Sequence, residues 1–365
     1  MDNELYWLWL CNIEGIWTGT IEKLLKYFLR PKEIFDASYE ELKEIIIQAG
    51  INKEILENII ISRDYEKIIN IRRNLDKNNI KFISCEHKEF PEKLKFINGC
   101  PYGIYHKGRT IDFEKTTVAV VGARNCTKYG MKIAHDIGFQ LAVNGINVIS
   151  GMARGIDSQA HWGAIEASGV TGAILGCGVD VCYPRENIGL YEKIMESGVI
   201  ISEFPIKTQP LSWQFPVRNR IISALADKIV VVEAKEKSGS LITAEYALEQ
   251  GKDIYAIPGR MDDVLSRGCN RLLKEGAGLI YSIETAMEDM GICNFRNSKK
   301  IKNKNIVLEK DLESLYIMLD FFPRSLQQLI LDTGRESGEL LRDLIKLEMM
   351  GLVEEPSKNY YSKKM

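Results

Sequence analysis

From Thr117 onward the chain repeats one pattern, a short apolar run closed by glycine and then a longer stretch with helical spacing. TVAVVG (117–122), NVISG (147–151) and TGAILG (171–176) are the runs, and KYGMKIAHDIGFQLAVNG and IDSQAHWGAIEASG lie between them. A Val/Ile run without polar alternation suits a strand covered on both faces, and strands separated by helix-length crossovers pair in parallel. VIISE, KIVVVEA and DIYAIPG continue the pattern, and AGLIY closes it near residue 281. The predicted fold class is α/β, a Rossmann-like doubly wound and mostly parallel sheet.

At 365 residues the chain is too long for one typical core, so flanking domains are expected. Over residues 1–75 the apolar positions recur at three and four, as in Ile21, Leu24, Leu25 and Phe28 and later Ile45, Ile55 and Ile59, which predicts a small helical domain of SAM or helix-hairpin-helix type. There Gly15 and Gly19 form a turn before IEKLLKYF. Such a turn can offer backbone N–H groups to a phosphate, or it can simply join two packed helices; the absence of Lys and Arg from the turn favours the second reading. The Rossmann-like domain is placed at 80–290, a basic linker at 291–307, and a winged-helix-like domain at 308–365 with three short helical patterns and a final pair of strands. Its third helix carries Glu336, Glu339, Asp343 and Glu348 against Arg335, Arg342 and Lys346, a balance that favours protein contact or dimerisation over duplex binding.

The formal net charge of -2 means that any polyanion site must be local. The eight cysteines are scattered without a CxxC pair, which predicts reduced thiols, no disulfide framework and no zinc. His87, His106, His135 and His161 show no ligand spacing, so neither a metal nor a cofactor is expected. His161 follows Asp157 by one helical turn, which reads as a surface hydrogen bond. Asp2 and Glu4 stand where a signal peptide carries positive charge, and no stretch approaches the roughly 20 apolar residues of a membrane span. A soluble cytoplasmic protein is expected.

In open parallel sheets ligands bind at the carboxyl ends of the strands, and here the loops at those ends are rich in glycine and cations. The first is Gly122-Ala123-Arg124-Asn125, with Thr127 placed to cap the next helix. Arg124 stands where a GxGxxG loop needs its second glycine, so a dinucleotide is not expected, while an arginine fork can grip phosphate. The second runs from Ser150 to Asp157, with Gly151 and Gly155 bracketing a helix start; Asp157 in the first turn reads as a capping or dipole partner rather than a catalytic acid. The third holds Gly176, Gly178, Tyr183 and Arg185, a ring and a cation suited to a stacked base beside its phosphate, although Tyr183 taken alone reads as the edge of the core. The fourth, FPVRNRII, brings Arg218 and Arg220; residues two apart do not share a helix face, so at most one should point at the ligand while the other fixes a carboxylate. Lys235 and Lys237 precede Ser238-Gly239-Ser240, which opens another helix.

These segments resemble one known family. VGARNCTKYG, SGMARGIDSQAH, LGCGVDVCYPREN, FPVRNRIISALAD, EAKEKSGSLITAEYALEQGKDIYAIPG and RGCNRLLKEGA, in this order over about residues 90 to 290, are similar to the DNA-processing protein A family, DprA or Smf. The resemblance implies a homodimer that binds single-stranded DNA, shields it and loads RecA recombinase onto it in natural transformation and recombination, without catalytic turnover. By motif position it implies phosphate contacts at Arg124, Arg185, Arg218, Arg220, Lys235 and Lys237. It also implies a pocket for backbone or base formed by Gly122, Gly151, Gly155, Gly176, Gly178, Ser238, Gly239 and Ser240. Two rivals remain on the same fold. One is a nucleotide phosphoribohydrolase, for which Gly239-Ser-Leu-Ile-Thr243-Ala-Glu245 looks like a degraded glycine-rich loop with Glu245 as its acid or base; the other is a nucleotide sensor.

Overall fold

The computed structural model describes residues 2–292, 309–320 and 323–364. They fall into two units, residues 2–126 with 133–292, and residues 127–132 with the described residues beyond 308. Residues 293–308, most of the expected basic linker, lie outside the described residues.

The first unit opens with α1 (Asn3–Cys11), α2 (Thr18–Leu24), α3 (Pro31–Asp36), α4 (Tyr39–Gln48), α5 (Glu54–Ser62) and α6 (Tyr65–Lys77). Ser38 and Asp64 cap α4 and α6 with their side chains, and Pro31 opens α3 where its missing N–H costs nothing. The turn before α2 contains only one of its two glycines: Gly15 has φ +77°, a conformation costly for other residues, whereas Gly19 lies inside α2. Next come β1 (Ile80–Ser84), α7 (Glu92–Lys95) and β2 (Gly103–Gly108), which pair antiparallel.

The repeating region follows as β3 (Thr117–Val121), α8 (Lys128–Val143), β4 (Asn147–Ser150), α9 (Ile156–Glu166), β5 (Thr171–Ile174), α10 (Ile188–Ser197), β6 (Val199–Ser202), α11 (Gln214–Leu225), β7 (Lys228–Val231), α12 (Gly239–Glu249), β8 (Asp253–Ala256), α13 (Arg267–Lys274), β9 (Gly278–Leu279) and α14 (Ile283–Asp289). Among the described residues the sheet has the order β1-β2-β6-β5-β4-β3-β7-β8-β9. From β6 to β9 every neighbouring pair is parallel, as the apolar runs predict, while β2 joins β6 antiparallel and brings β1 with it. The antiparallel edge escapes the sequence pattern because β1 and β2 share no helical crossover.

Strand order reverses at β3, with β4 added on one side of it and β7 on the other, which is where a doubly wound sheet opens its crevice. Both faces are covered, and all five residues of β3 are buried. The core of the helical segment is continuous with one face of the sheet: Trp7, Leu8, Trp9 and Leu10 of α1 join Tyr105, Leu175 and Ile200 in one cluster. Trp7 stacks on Tyr102 at 5.6 Å, and Asn12 donates to the Tyr105 hydroxyl at 2.6 Å.

The second unit contains α15 (Lys310–Met318), β10 (Arg324–Ser325), α16 (Leu326–Thr333), α17 (Ser337–Met349), β11 (Val353–Ser357) and β12 (Tyr360–Lys363), with strand order β10-β12-β11. Leu315, Leu329, Leu340, Leu344, Leu347 and Val353 form its core. On α17, Asp343 takes both Arg335 at 2.5 Å and Lys346 at 3.5 Å, so two of the cations near this helix are already engaged. No helix among the described residues is long and apolar enough to cross a membrane.

Candidate nucleic-acid interface

Parallel pairing sends the loops after β3, β4, β5, β6 and β7 to one edge of the sheet, so residues more than 100 positions apart converge there. Phe215, in the first turn of α11, is the point of convergence. The Arg124 guanidinium lies 5.3 Å from its ring centre and that of Arg218 6.0 Å, while the Tyr183 ring lies 5.4 Å away at 31°. The loops after β3 and β5 thus meet on the start of α11. Phe215 sits within a quoted motif, but the sequence alone does not single it out, because its importance lies in neighbours remote along the chain.

The two arginines of α11 part company. Arg218 is buried and donates to the carbonyls of Gly151, at 3.0 Å, and of Ile174, tying together the chain just after β4 and the end of β5. Burial pulls its pKa down to about 10, against the opposing pull of Asp157, so it remains a cation at neutral pH. Arg220 is also buried and makes a two-pronged pair with Glu203 at 2.7 and 2.6 Å, with a further bond to the carbonyl of Gly99 at 2.9 Å. One arginine fixes a carboxylate, as the two-residue spacing predicts. The other holds strand ends together, so neither guanidinium faces outward to a phosphate.

Arg124, Arg185, Lys235 and Lys237 are exposed, and among the described residues none of the four is in an ion pair. They are outward-facing cations of this edge. Arg154, which the sequence left without a role, donates to Glu186 at 2.6 Å, and Asn187 donates to the Met152 carbonyl at 3.0 Å, so the loops after β4 and β5 are fastened together.

The glycines prove to be crowded by protein. A Cβ on Gly122 would come within 2.6 Å of Ile156, on Gly151 within 2.5 Å of Arg218, and on Gly176 within 2.9 Å of Phe215. At Gly178 it would lie 2.7 Å from the carbonyl of Pro205, and at Gly155, with φ +73°, 2.4 Å from that of Ala123. These five therefore allow loops to pack against each other, and their Cα positions are not open to a ligand. Gly239 has open space around it. Ser238 caps α12 and shares a hydrogen bond with the Ser240 hydroxyl at 2.8 Å, so both hydroxyls are engaged at the helix start.

Asp157 is buried and accepts from the N–H groups of Gly151 at 3.1 Å and Ala153 at 3.3 Å, so it fastens the loop before α9 instead of capping that helix, whose N-cap, Gly155, provides no side-chain bond. Burial raises its pKa, opposed by Arg218 and by those N–H groups. His161 is not at the surface. It is fully buried with Nδ1 2.6 Å from the Thr171 hydroxyl, and burial lowers its pKa to about 3. Glu245 lies on the exposed side of α12. Among the described residues no group of His, Cys, Asp or Glu is arranged to hold a metal ion.

Residues 81–291 match the family model described as DNA recombination-mediator protein A. The chain belongs to this family. The DNA processing protein DprA of Bacillus subtilis is 33% identical over 291 residues, covering 80% of this chain and 96% of the relative. Protein Smf of Synechocystis is 28% identical over 396 aligned residues, covering 98% of each chain. Among solved structures, DNA processing protein A of Streptococcus pneumoniae superposes with a TM-score of 0.65 at 33% identity, over 79% of this chain and 98% of that one. The Helicobacter pylori DNA processing protein A, whose structure was described for its single-stranded DNA binding mode, superposes at 0.53 with 29% identity, over 57% and 95%. The matched stretch of the recombination-mediator family runs from β1 through α14 and so contains every loop of the edge described above.

Proposed function

We propose that this protein binds single-stranded DNA along the carboxyl edge of its sheet. On this reading it protects the strand and loads RecA recombinase onto it in recombination and natural transformation, acting as a cytoplasmic homodimer without catalytic turnover. The observation that carries the binding reading is the exposed Arg124 over the face of Phe215, with the Tyr183 ring beside it. A guanidinium against a partly exposed ring offers a phosphate a cation and the adjoining base a stacking surface. Arg185, Lys235 and Lys237 extend the positive charge along the same edge. Membership of the recombination-mediator family and the strand-binding description of the Helicobacter pylori relative support the choice of ligand. The compact second unit, three helices with a short sheet, fits a winged-helix-like module used for protein contact, given that Arg335 beside α17 and Lys346 on it are both engaged by Asp343.

Fluorescence anisotropy of labelled oligo-dT at low and high salt, with a duplex of equal length alongside, tests the proposal. Tighter binding of the single strand that weakens as salt rises is the expected result. Absence of strand binding at both salt levels overturns it. Recombinase filament formation on strands coated with a single-stranded-DNA-binding protein, with and without this protein, tests loading.

A further inference from the structure

A second aromatic group stands on the same edge of the sheet. Because β6 runs parallel to β5, residues 203 and 204 leave the sheet on the side from which the Tyr183 loop leaves. Phe204 is buried, and two indoles close over it: Trp213, immediately before α11, and Trp17, immediately before α2. Trp17 and Trp213 are 5.1 Å apart, and each meets Phe204 edge-on, at 5.8 and 6.0 Å. Side chains this large usually bury most of their surface, yet Trp17 and Trp213 remain 41% and 42% exposed. They border a cleft of about 310 Å³ between the N-terminal helical segment and the sheet.

The charges in this cleft cancel. Glu203 is held by both terminal nitrogens of Arg220 and accepts a hydrogen bond from the Thr18 hydroxyl at 3.1 Å. No unpaired cation is left among its described lining residues to hold a phosphate, and the carboxylate that would repel one is neutralised. A lining of indole edges and faces with a cancelled polar floor suits a flat uncharged ring. Continuity indicates which ring: Trp213 is two residues before Phe215, on which Arg124 and Tyr183 converge.

We propose that Trp17 and Trp213 stack a base of the bound strand, carrying its path beyond Phe215 onto the helical segment. This rests on the reading of the sheet edge as a single-strand interface. The site is assembled from two turns nearly 200 residues apart in sequence, so the helical segment would add affinity without contributing charge.

Photo-crosslinking of the full chain to oligo-dT carrying 5-iodouridine at successive positions, read by peptide mass spectrometry, tests the placement. Cross-links to Trp17 or Trp213 are expected. In anisotropy titrations Trp17→Ala and Trp213→Ala should each weaken binding by roughly 5- to 100-fold with the salt slope unchanged, since stacking releases no counterions. Trp17→Phe should restore most of the loss. Wild-type affinity in both alanine variants, with cross-links confined to Tyr183 and Phe215, overturns the inference and leaves the interface reading standing. Failure of the unaltered protein to bind any strand removes both. Thermal melts establish that the variants fold, and the cross-link map of the unaltered chain decides the matter if one does not.

Discussion

Arg220 and Glu203 face each other inside the protein through two hydrogen bonds of 2.7 and 2.6 Å, with both side chains more than nine-tenths buried. The pair joins α11 to the end of β6, and the Gly99 carbonyl takes a further guanidinium N–H. Such a pair need not stabilise relative to a well-packed apolar substitute, but losing one partner strands the other charge in a poorly solvated site.

Arg220→Ala and Glu203→Ala should therefore each cost about 3–5 kcal/mol of stability. Urea denaturation monitored by circular dichroism measures this. A loss below about 1 kcal/mol in both variants would show that water reaches the pair, making it equivalent to a surface salt bridge.

Arg124→Ala combined with Arg185→Ala should leave stability close to that of the unaltered protein, because both side chains are exposed. Strand binding should weaken by tenfold or more, as charged hydrogen bonds worth about 1.5–3 kcal/mol each disappear. If each cation meets one phosphate, the slope of log affinity against log salt should fall by about 0.7 per arginine. Anisotropy titrations across a salt series read both quantities. A folded double variant with unchanged affinity and slope would remove these residues from the interface.

The glycines separate packing from ligand contact. Gly155→Ala places a Cβ 2.4 Å from the Ala123 carbonyl at φ +73° and should cost at least about 2 kcal/mol. Gly239→Ala meets open space and should change stability by no more than about 1 kcal/mol, in the favourable direction. Denaturant midpoints give both numbers. If Gly239→Ala keeps its stability but loses strand affinity, that position touches the ligand.

His161 makes stability pH-dependent. Its pKa is about 3 in the folded protein against 6.5 when exposed, so below pH 6.5 the unfolded chain binds the extra proton and stability falls as pH drops toward 3. Asp157, with its pKa raised, acts in the opposite sense over the acid range, but it does so equally in a His161→Gln variant. The stability difference between the unaltered protein and His161→Gln should shift against the former by up to about 1.4 kcal/mol per pH unit below 6.5. Denaturation at a series of pH values checks this; a constant difference would mean that solvent reaches the ring.

The amino-acid sequence alone was enough to reveal the parallel core of the sheet, because a strand buried on both faces must be apolar throughout and its helices must carry a helical repeat. It also marked the loops at the strand ends, since glycine and arginine stand out against such runs. Tertiary structure decided what those residues do. Arg218 and Arg220 sit about 200° apart around α11, a helix buried on most of its circumference, and no local pattern says which neighbours each will meet. Gly122, Gly151 and Gly176 look alike whether a ligand or another loop fills the space beside them, and here Ile156, Arg218 and Phe215 fill it. Phe215 meets Arg124 and Tyr183 only when parallel pairing brings distant loops to one edge, and Trp213 meets Trp17 only when the helical segment packs beside that edge. Periodicity along a chain reports which face of an element is dry; the identity of the group that dries it is a long-range contact, which only the folded chain specifies.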